Sequence, residues 1–275
     1  MATKKKINKK LIAELHIQAA LRNNLTFLEK AYHTTPFKIA NITEDKKHNT
    51  LRLMLMSSSP GILDGDEYKI KINVANNCSL HLQTQSYQRL FNMKVGASQN
   101  MEVHLQEGAS FCFIPHPSVP HESSIFTARN KIYLNNKCDL IWGEVLTCGR
   151  KLSGEVFLFS KYHNVTEIFL NNKLIIKENL LVQPSLVDVN AIGQLEGYTH
   201  QATLIYLNEK AEIKTLIKEI TEFLSTPNEI AFGITAAPKN GLIIRLLGYK
   251  AEQLFDCLKT IAELHLTKNK MEYAG

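Results

Sequence analysis

The sequence predicts a mainly β protein: a body of stacked antiparallel hairpins, β-helical or sandwich-like, followed by a C-terminal βαββα region of α+β type. Three observations predict it. Apolar and polar residues alternate with period two over most of the first 200 residues. Turn dipeptides of Asn and Gly recur between these alternating runs at intervals of roughly 30 to 35 residues, the span of a stacked repeat unit. Beyond about residue 200, two stretches switch to helical spacing.

The elements follow in order. In LIAELHIQAAL, Leu11, Ala13, Leu15, Ile17, Ala19 and Leu21 share one parity and Glu14, His16, Gln18 and Arg22 the other. Helix propensity competes here, but the period, the turn Asn23-Asn24 and the following LTFLEKAYH favour a hairpin. Four further hairpins are expected: KIKINV and CSLHLQTQ around Asn76-Asn77, MEVHLQ and ASFCFIP around Glu107-Gly108, KIYL and KCDLIWGEV around Asn135-Asn136, and TEIFL and KLIIKENLLV around Asn171-Asn172. Asn and Gly tolerate the positive φ that tight turns require. The strand ATLIYLN then leads to AEIKTLIKEITEFLS, where Ile213, Leu216, Ile217, Ile220 and Leu224 mark a helix face. NEIAFGITA and GLIIRLLG form a hairpin across APKN, and KAEQLFDCLKTIAELHL closes the chain as a second amphipathic helix. Residues 1–10 read as a basic tail, 11–200 as the β body and 201–275 as the α+β region, packed as one continuous domain.

Composition narrows the function classes. With 275 residues, 44% hydrophobic and 21% charged, the chain is long enough to bury a core without staples. No apolar run approaches the roughly 18–20 residues of a membrane span, and no apolar stretch follows the basic start MATKKKINKK, so neither membrane insertion nor a secretory signal is expected. Cys78, Cys112, Cys138, Cys148 and Cys257 are scattered without a CxxC pair, as in a cytoplasmic protein with reduced thiols. Of the net charge of +6, five lysines (Lys4, Lys5, Lys6, Lys9, Lys10) lie in the tail, which suits solubilisation. The interleaved aromatics and cations of a nucleic-acid surface are missing.

Catalytic signatures are missing too: no GxxxxGK[ST], GxGxxG, GxSxG or HExxH. The most metal-like cluster is FIPHPSVPHES, where His116 and His121 offer imidazoles suited to nickel, copper or zinc. Their spacing of five between prolines matches no standard ligand template and equally suits a rigid surface loop. Polar groups on apolar parity are more informative. Asp66 shares the parity of Tyr68, Ile70, Ile72 and Val74; Thr84 and Ser86 continue the face of Leu80 and Leu82; Glu144 follows Leu140 and Trp142. Either these strands emerge into solvent at their ends, or oxygen ligands line a polar passage able to hold a cation weakly. In LTCGRKLSGEVFLF, Gly149-Arg150 and Gly154-Glu155 form a turn in which Arg150 can pair with a carboxylate.

Pro60-Gly61 with Gly65-Asp66, LHLQTQSYQRLF with its threonine–glutamine (Thr84, Gln85), FIPHPSVPHESS and LIWGEVLTCGRKLSGEVF occur in an order that resembles the urease accessory proteins called UreD or UreH. The likeness spans roughly residues 35–210, with Ile62 where that family often has a second glycine. It implies a nickel-delivery scaffold without catalytic activity, with no tightly bound cofactor and Ni2+ only in transit. It implies UreF as direct partner, the GTPase UreG through UreF, and docking on the urease apoprotein, with pairing of two UreD–UreF heterodimers open to it. Through the resemblance, Asp66, Thr84, Ser86, Glu144 and, less directly, Glu155 become candidates for a tunnel carrying nickel. The alternative from another class is a β-rich hydrolase using Asp66 and Glu144 as paired carboxylates, which would need them roughly 5 to 10 Å apart in a cleft.

Overall fold

The structure is a computed structural model and describes residues 12–44, 49–226 and 228–272. The expected basic tail lies outside the described residues. The strands are β1 (Ile12–Arg22), β2 (Leu25–His33), β3 (Phe37–Asn41), β4 (Thr50–Ser57), β5 (Glu67–Val74), β6 (Ser79–Thr84), β7 (Gln88–Leu90), β8 (Ala97–Leu105), β9 (Ser110–Phe113), β10 (Ser118–Pro120), β11 (Ile125–Leu134), β12 (Asp139–Thr147), β13 (Lys161–Leu170) and β14 (Lys173–Val182). After them come β15 (His200–Asn208), α1 (Ile213–Leu224), β16 (Ala231–Ala237), β17 (Gly241–Gly248) and α2 (Ala251–Glu272). The mainly β class and the C-terminal βαββα order are both observed.

Two mixed sheets face each other. The first runs β14-β13-β11-β8-β5-β1-β2 and the second β16-β17-β15-β12-β9-β6-β4-β3. The first hairpin, β1–β2, and the last of the body, β13–β14, pair antiparallel as the turn residues predict, with Asn23, Asn24, Asn171 and Asn172 all at positive φ. The three middle hairpins do not exist as pairs. Instead β5 pairs β8 and β8 pairs β11 in parallel in the first sheet, while β6 pairs β9 and β9 pairs β12 in parallel in the second. The Asn76-Asn77, Glu107-Gly108 and Asn135-Asn136 turns therefore carry the chain from one sheet to the other, which is the β-helical arrangement. The physical reason lies in burial. A hairpin would set the apolar parities of both strands on one face of one sheet, still needing a cover. Crossing to the opposite sheet lets Ile70, Ile72 and Val74 face Leu80 and Leu82 across a shared core.

The corners stack. Asn77 N–H donates to Glu107 O at 3.0 Å and Gly108 N–H to Asn136 O at 3.1 Å. Gly108 is required there, because at φ +70° a Cβ would lie 2.3 Å from Asn77 Oδ1.

The second sheet is shared by two cores. One face, with Leu140, Trp142, Ile205 and Leu207, packs on the first sheet. The other, with Ile141, Val145, Leu204 and Ile244, packs on Leu216 and Ile220 of α1 and Leu254 and Leu258 of α2. Gly143 permits this close helix approach: a Cβ there would lie 3.2 Å from Leu258 Cδ1. All five cysteines are free and buried, in line with the absence of a disulfide framework in the sequence.

Candidate functional site

Between the sheets, the apolar parity is broken in mid-strand. On β11 the inward series Phe126, Ala128, Ile132 and Leu134 is interrupted by Asn130, and on β13 Tyr162 and Ile168 flank Asn164 and Thr166. Asn130 and Thr166 are register partners, as are Thr166 and Glu178 of β14, so Asn130, Thr166 and Glu178 form one row across the first sheet. In the second sheet Glu144 pairs in register with Thr203 and Thr203 with Arg245, a matching row. The two rows face each other across the interior.

Glu144 is the centre of this layer. Its carboxylate accepts hydrogen bonds from Trp142 Nε1 at 2.7 Å, Thr166 Oγ1 at 2.9 Å, Asn130 Nδ2 at 3.4 Å and the Asn164 amide. Asn130 Nδ2 also donates to Asn164 Oδ1 at 3.0 Å and Thr166 Oγ1 at 2.9 Å, which fixes the amide orientation. Burial pushes the Glu144 carboxyl above its ordinary range, although the donated hydrogen bonds oppose it; the nearby Glu178 charge acts in the same upward direction. Among the described residues, Glu144 takes part in no ion pair. A carboxylate with satisfied lone pairs but no cation, in a site that disfavours its charge, suits transient contact with a mobile positive ion.

Two cavities meet at this carboxylate. The smaller, about 50 Å³, is lined by Gln88, Gln99, His116, Ser118 and Asn130; the larger, about 390 Å³, by Thr166, Glu178, Gln201, Thr203 and Arg245. Trp142, Glu144 and Asn164 line both. Along the smaller one, Ser118 Oγ donates to Gln88 Oε1 and Gln88 Nε2 to Gln99 Oε1, each at 3.1 Å.

The other sequence candidates are placed differently. Asp66 is buried, and its Oδ2 accepts the Leu63 N–H at 2.8 Å, closing its own turn; it lines neither cavity. Asp64 ties that turn to the next loop by accepting the Val95 and Gly96 N–H groups, both at 2.8 Å, and these hold its carboxyl below the usual range. Gly61, after Pro60, allows a close pass, since a Cβ would lie 2.4 Å from Arg89 O. Ser86 and Gln85 are exposed, with Gln85 N–H donating to Leu55 O. Thr84 Oγ1 accepts the His116 backbone N–H at 2.8 Å and shares a 2.9 Å hydrogen bond with His116 Nδ1, so its role is to fix the imidazole on the wall of the smaller cavity. Burial and Lys259 lower the His116 pKa. His121 is buried against Phe91, ring centroids 4.8 Å apart, and lines neither cavity. Among the described residues no group of three or more His, Cys, Asp or Glu is arranged to hold a metal ion. Arg150 Nε donates to Glu155 Oε2 at 2.9 Å in a forked pair, and Glu155 also accepts the Glu122 N–H at 3.1 Å. That pair closes the turn between Gly149 and Gly154 and also lines neither cavity.

Asn130, Asn164, Thr166, Glu178 and Arg245 were not singled out from the sequence. The first three carry the same parity signal as Glu144, and so does Glu178, which stands on the face of Ile176, Leu180 and Val182; Arg245 interrupts a strand that is apolar on both parities.

Among the described residues, no helix is long and apolar enough to cross a membrane. A family model described as UreD urease accessory protein matches residues 12–272. The chain is similar to a urease accessory protein UreD of Flavobacterium johnsoniae, 49% identical over 252 residues that cover 91% of each chain. It is also similar to proteins of that name from Acetivibrio thermocellus, 32% identical over 92% of this chain and 96% of the relative, and Haemophilus influenzae, 32% identical over 87% and 93%.

Proposed function

Because the chain belongs to the UreD urease accessory protein family, we propose that it serves urease maturation as a non-catalytic scaffold that passes nickel to the apoenzyme. In this reading it works in the cytoplasm, binds UreF, reaches the GTPase UreG through UreF, and docks on urease lacking its metal. The chain has no phosphate-binding loop motif, which fits a nucleotide-driven step residing in another protein.

The observation that carries the nickel reading is Glu144: a carboxylate held by side-chain donors, without an ion pair among the described residues, lining two cavities of mixed polar and apolar wall. Oxygen ligands of this kind hold a divalent cation weakly, as a transfer step requires. Asp66 and Glu144 share no cavity of the two, which speaks against the paired-carboxylate hydrolase.

Trp142, the chain's one tryptophan, donates to Glu144 and reports on it. Titration with Ni2+ is expected to quench Trp142 emission in the native chain and to leave it unchanged in Glu144→Gln. Equal quenching in both would remove Glu144 from the nickel path. At the level of the cell, deletion of the chain is expected to abolish urease activity at limiting nickel; normal maturation in the deletion strain would refute the maturation role.

A further inference from the structure

The larger cavity has a distinctive charge inventory. Glu144 and Glu178 are the only carboxylates among its lining residues and Arg245 the only cation. Arg245 Nη2 donates to both Glu178 oxygens, at 2.8 and 2.7 Å, and so bridges β14 of the first sheet to β17 of the second. Side-chain exposures of 53% for Arg245 and 25% for Glu178 place the pair where the cavity opens to solvent. Arg245 also stands in the register row of Glu144, two strands away, roughly 10 Å along the sheet.

We propose that Arg245 is a charge gate for a divalent cation at the mouth of this cavity: paired with Glu178 it masks the outer carboxylate, so that Glu144 alone sets the cavity's attraction for the ion. The inference rests on the nickel-delivery reading for the identity of the cation, and adds a residue to it. Unmasked, Glu178 would give the cavity a second free carboxylate and retain the ion. Unpaired, Arg245 would repel it. The gate therefore keeps cation binding weak enough for release, and a solvent-exposed ion pair is held loosely enough to part. Both carboxylates line the same cavity, and the Glu178 charge acts on the Glu144 carboxyl in the upward direction.

The test is equilibrium dialysis of radioactive Ni2+ against the full-length chain. Arg245→Gln is expected to bind Ni2+ about 10-fold more tightly and Glu178→Gln about 10-fold more weakly, from one unit of charge at this separation. The double variant Glu178→Gln/Arg245→Gln is expected to return to within about threefold of the native chain. If the double variant stays as weak as Glu178→Gln, or if Arg245→Gln does not tighten binding, the gate is wrong. The swapped pair Glu178→Arg/Arg245→Glu keeps both the tie between sheets and the net charge. It serves where a single variant does not fold, and native-like binding is expected; binding as weak as that of Glu178→Gln overturns the proposal. Nickel content of urease matured with the native chain is a separate assay: its failure sinks the delivery reading and leaves the dialysis result on Arg245 standing.

Discussion

Glu144 and Arg245 occupy the same register row and the same face of the second sheet, with Thr203 between them. One is a carboxylate held only by neutral donors, the other a guanidinium clamped on Glu178 from the opposite sheet. A row of residues perpendicular to the strands thus runs from an interior carboxyl to an ion pair near the surface.

Burial raises the Glu144 carboxyl, so the folded chain binds more protons than the unfolded chain above the ordinary glutamate value of 4.5. Its contribution to stability is therefore expected to fall as pH rises through and beyond that value. Urea unfolding of the native chain and of Glu144→Gln, compared from acidic to mildly alkaline pH, should show the native chain losing ground to the variant. A difference independent of pH would mean that the donors around Glu144 offset its burial completely.

Thr84→Val keeps the size of the side chain but leaves the His116 N–H without its acceptor. The expected loss is about 1–2 kcal/mol in urea unfolding, the cost of an unmade bond to a part-buried donor. Thr84→Ser should restore most of it, and a loss as large in the serine variant would assign Thr84 a packing role instead.

Gly108→Ala places a methyl group against Asn77 Oδ1 at a left-handed backbone position. Destabilisation by about 1–3 kcal/mol is expected from strain at a stacked corner. An unaltered urea midpoint would show that the corners shift freely and do not fix the register of the rungs.

The Arg150–Glu155 pair depresses the Glu155 carboxyl, a stabilisation present above the ordinary glutamate value and lost as pH falls through the lowered one. Arg150→Ala is expected to move the acid unfolding midpoint to higher pH while leaving stability near pH 8 little changed, as for an exposed ion pair. A large loss at pH 8 would assign the pair a greater role than closing its turn.

Period-two alternation made the strands legible, and the Asn and Gly turns marked where the chain reverses. What alternation does not encode is which strand lies alongside. An inward face at Ile70 and Ile72 reads the same whether Leu80 sits beside it in one sheet or opposite it in another, and here the stacking of corners such as Gly108 on Asn77 decides. The candidate site shows in the sequence where polarity breaks parity: Glu144 stands out for that reason, and Asn130, Asn164 and Thr166 carry the same mark in mid-strand, where emergence into solvent does not explain it. At Asp66 the parity reading meets a buried carboxylate, one oxygen of which is used by its own turn within three residues. The pairing of Glu178 with Arg245 was illegible, since it depends on two residues 67 positions apart meeting across the sandwich.

Strand β12 is a party wall. Ile141 and Val145 belong to the helix side, Trp142 and Glu144 to the cavity side, and Gly143 stands against Leu258 of α2. No residue of that strand is free to drift for the benefit of one compartment, since its neighbour one position away answers to the other. A protein that leaned on α2 would press on the peptide bonded directly to Glu144, and the helix layer is in that sense a handle on the interior.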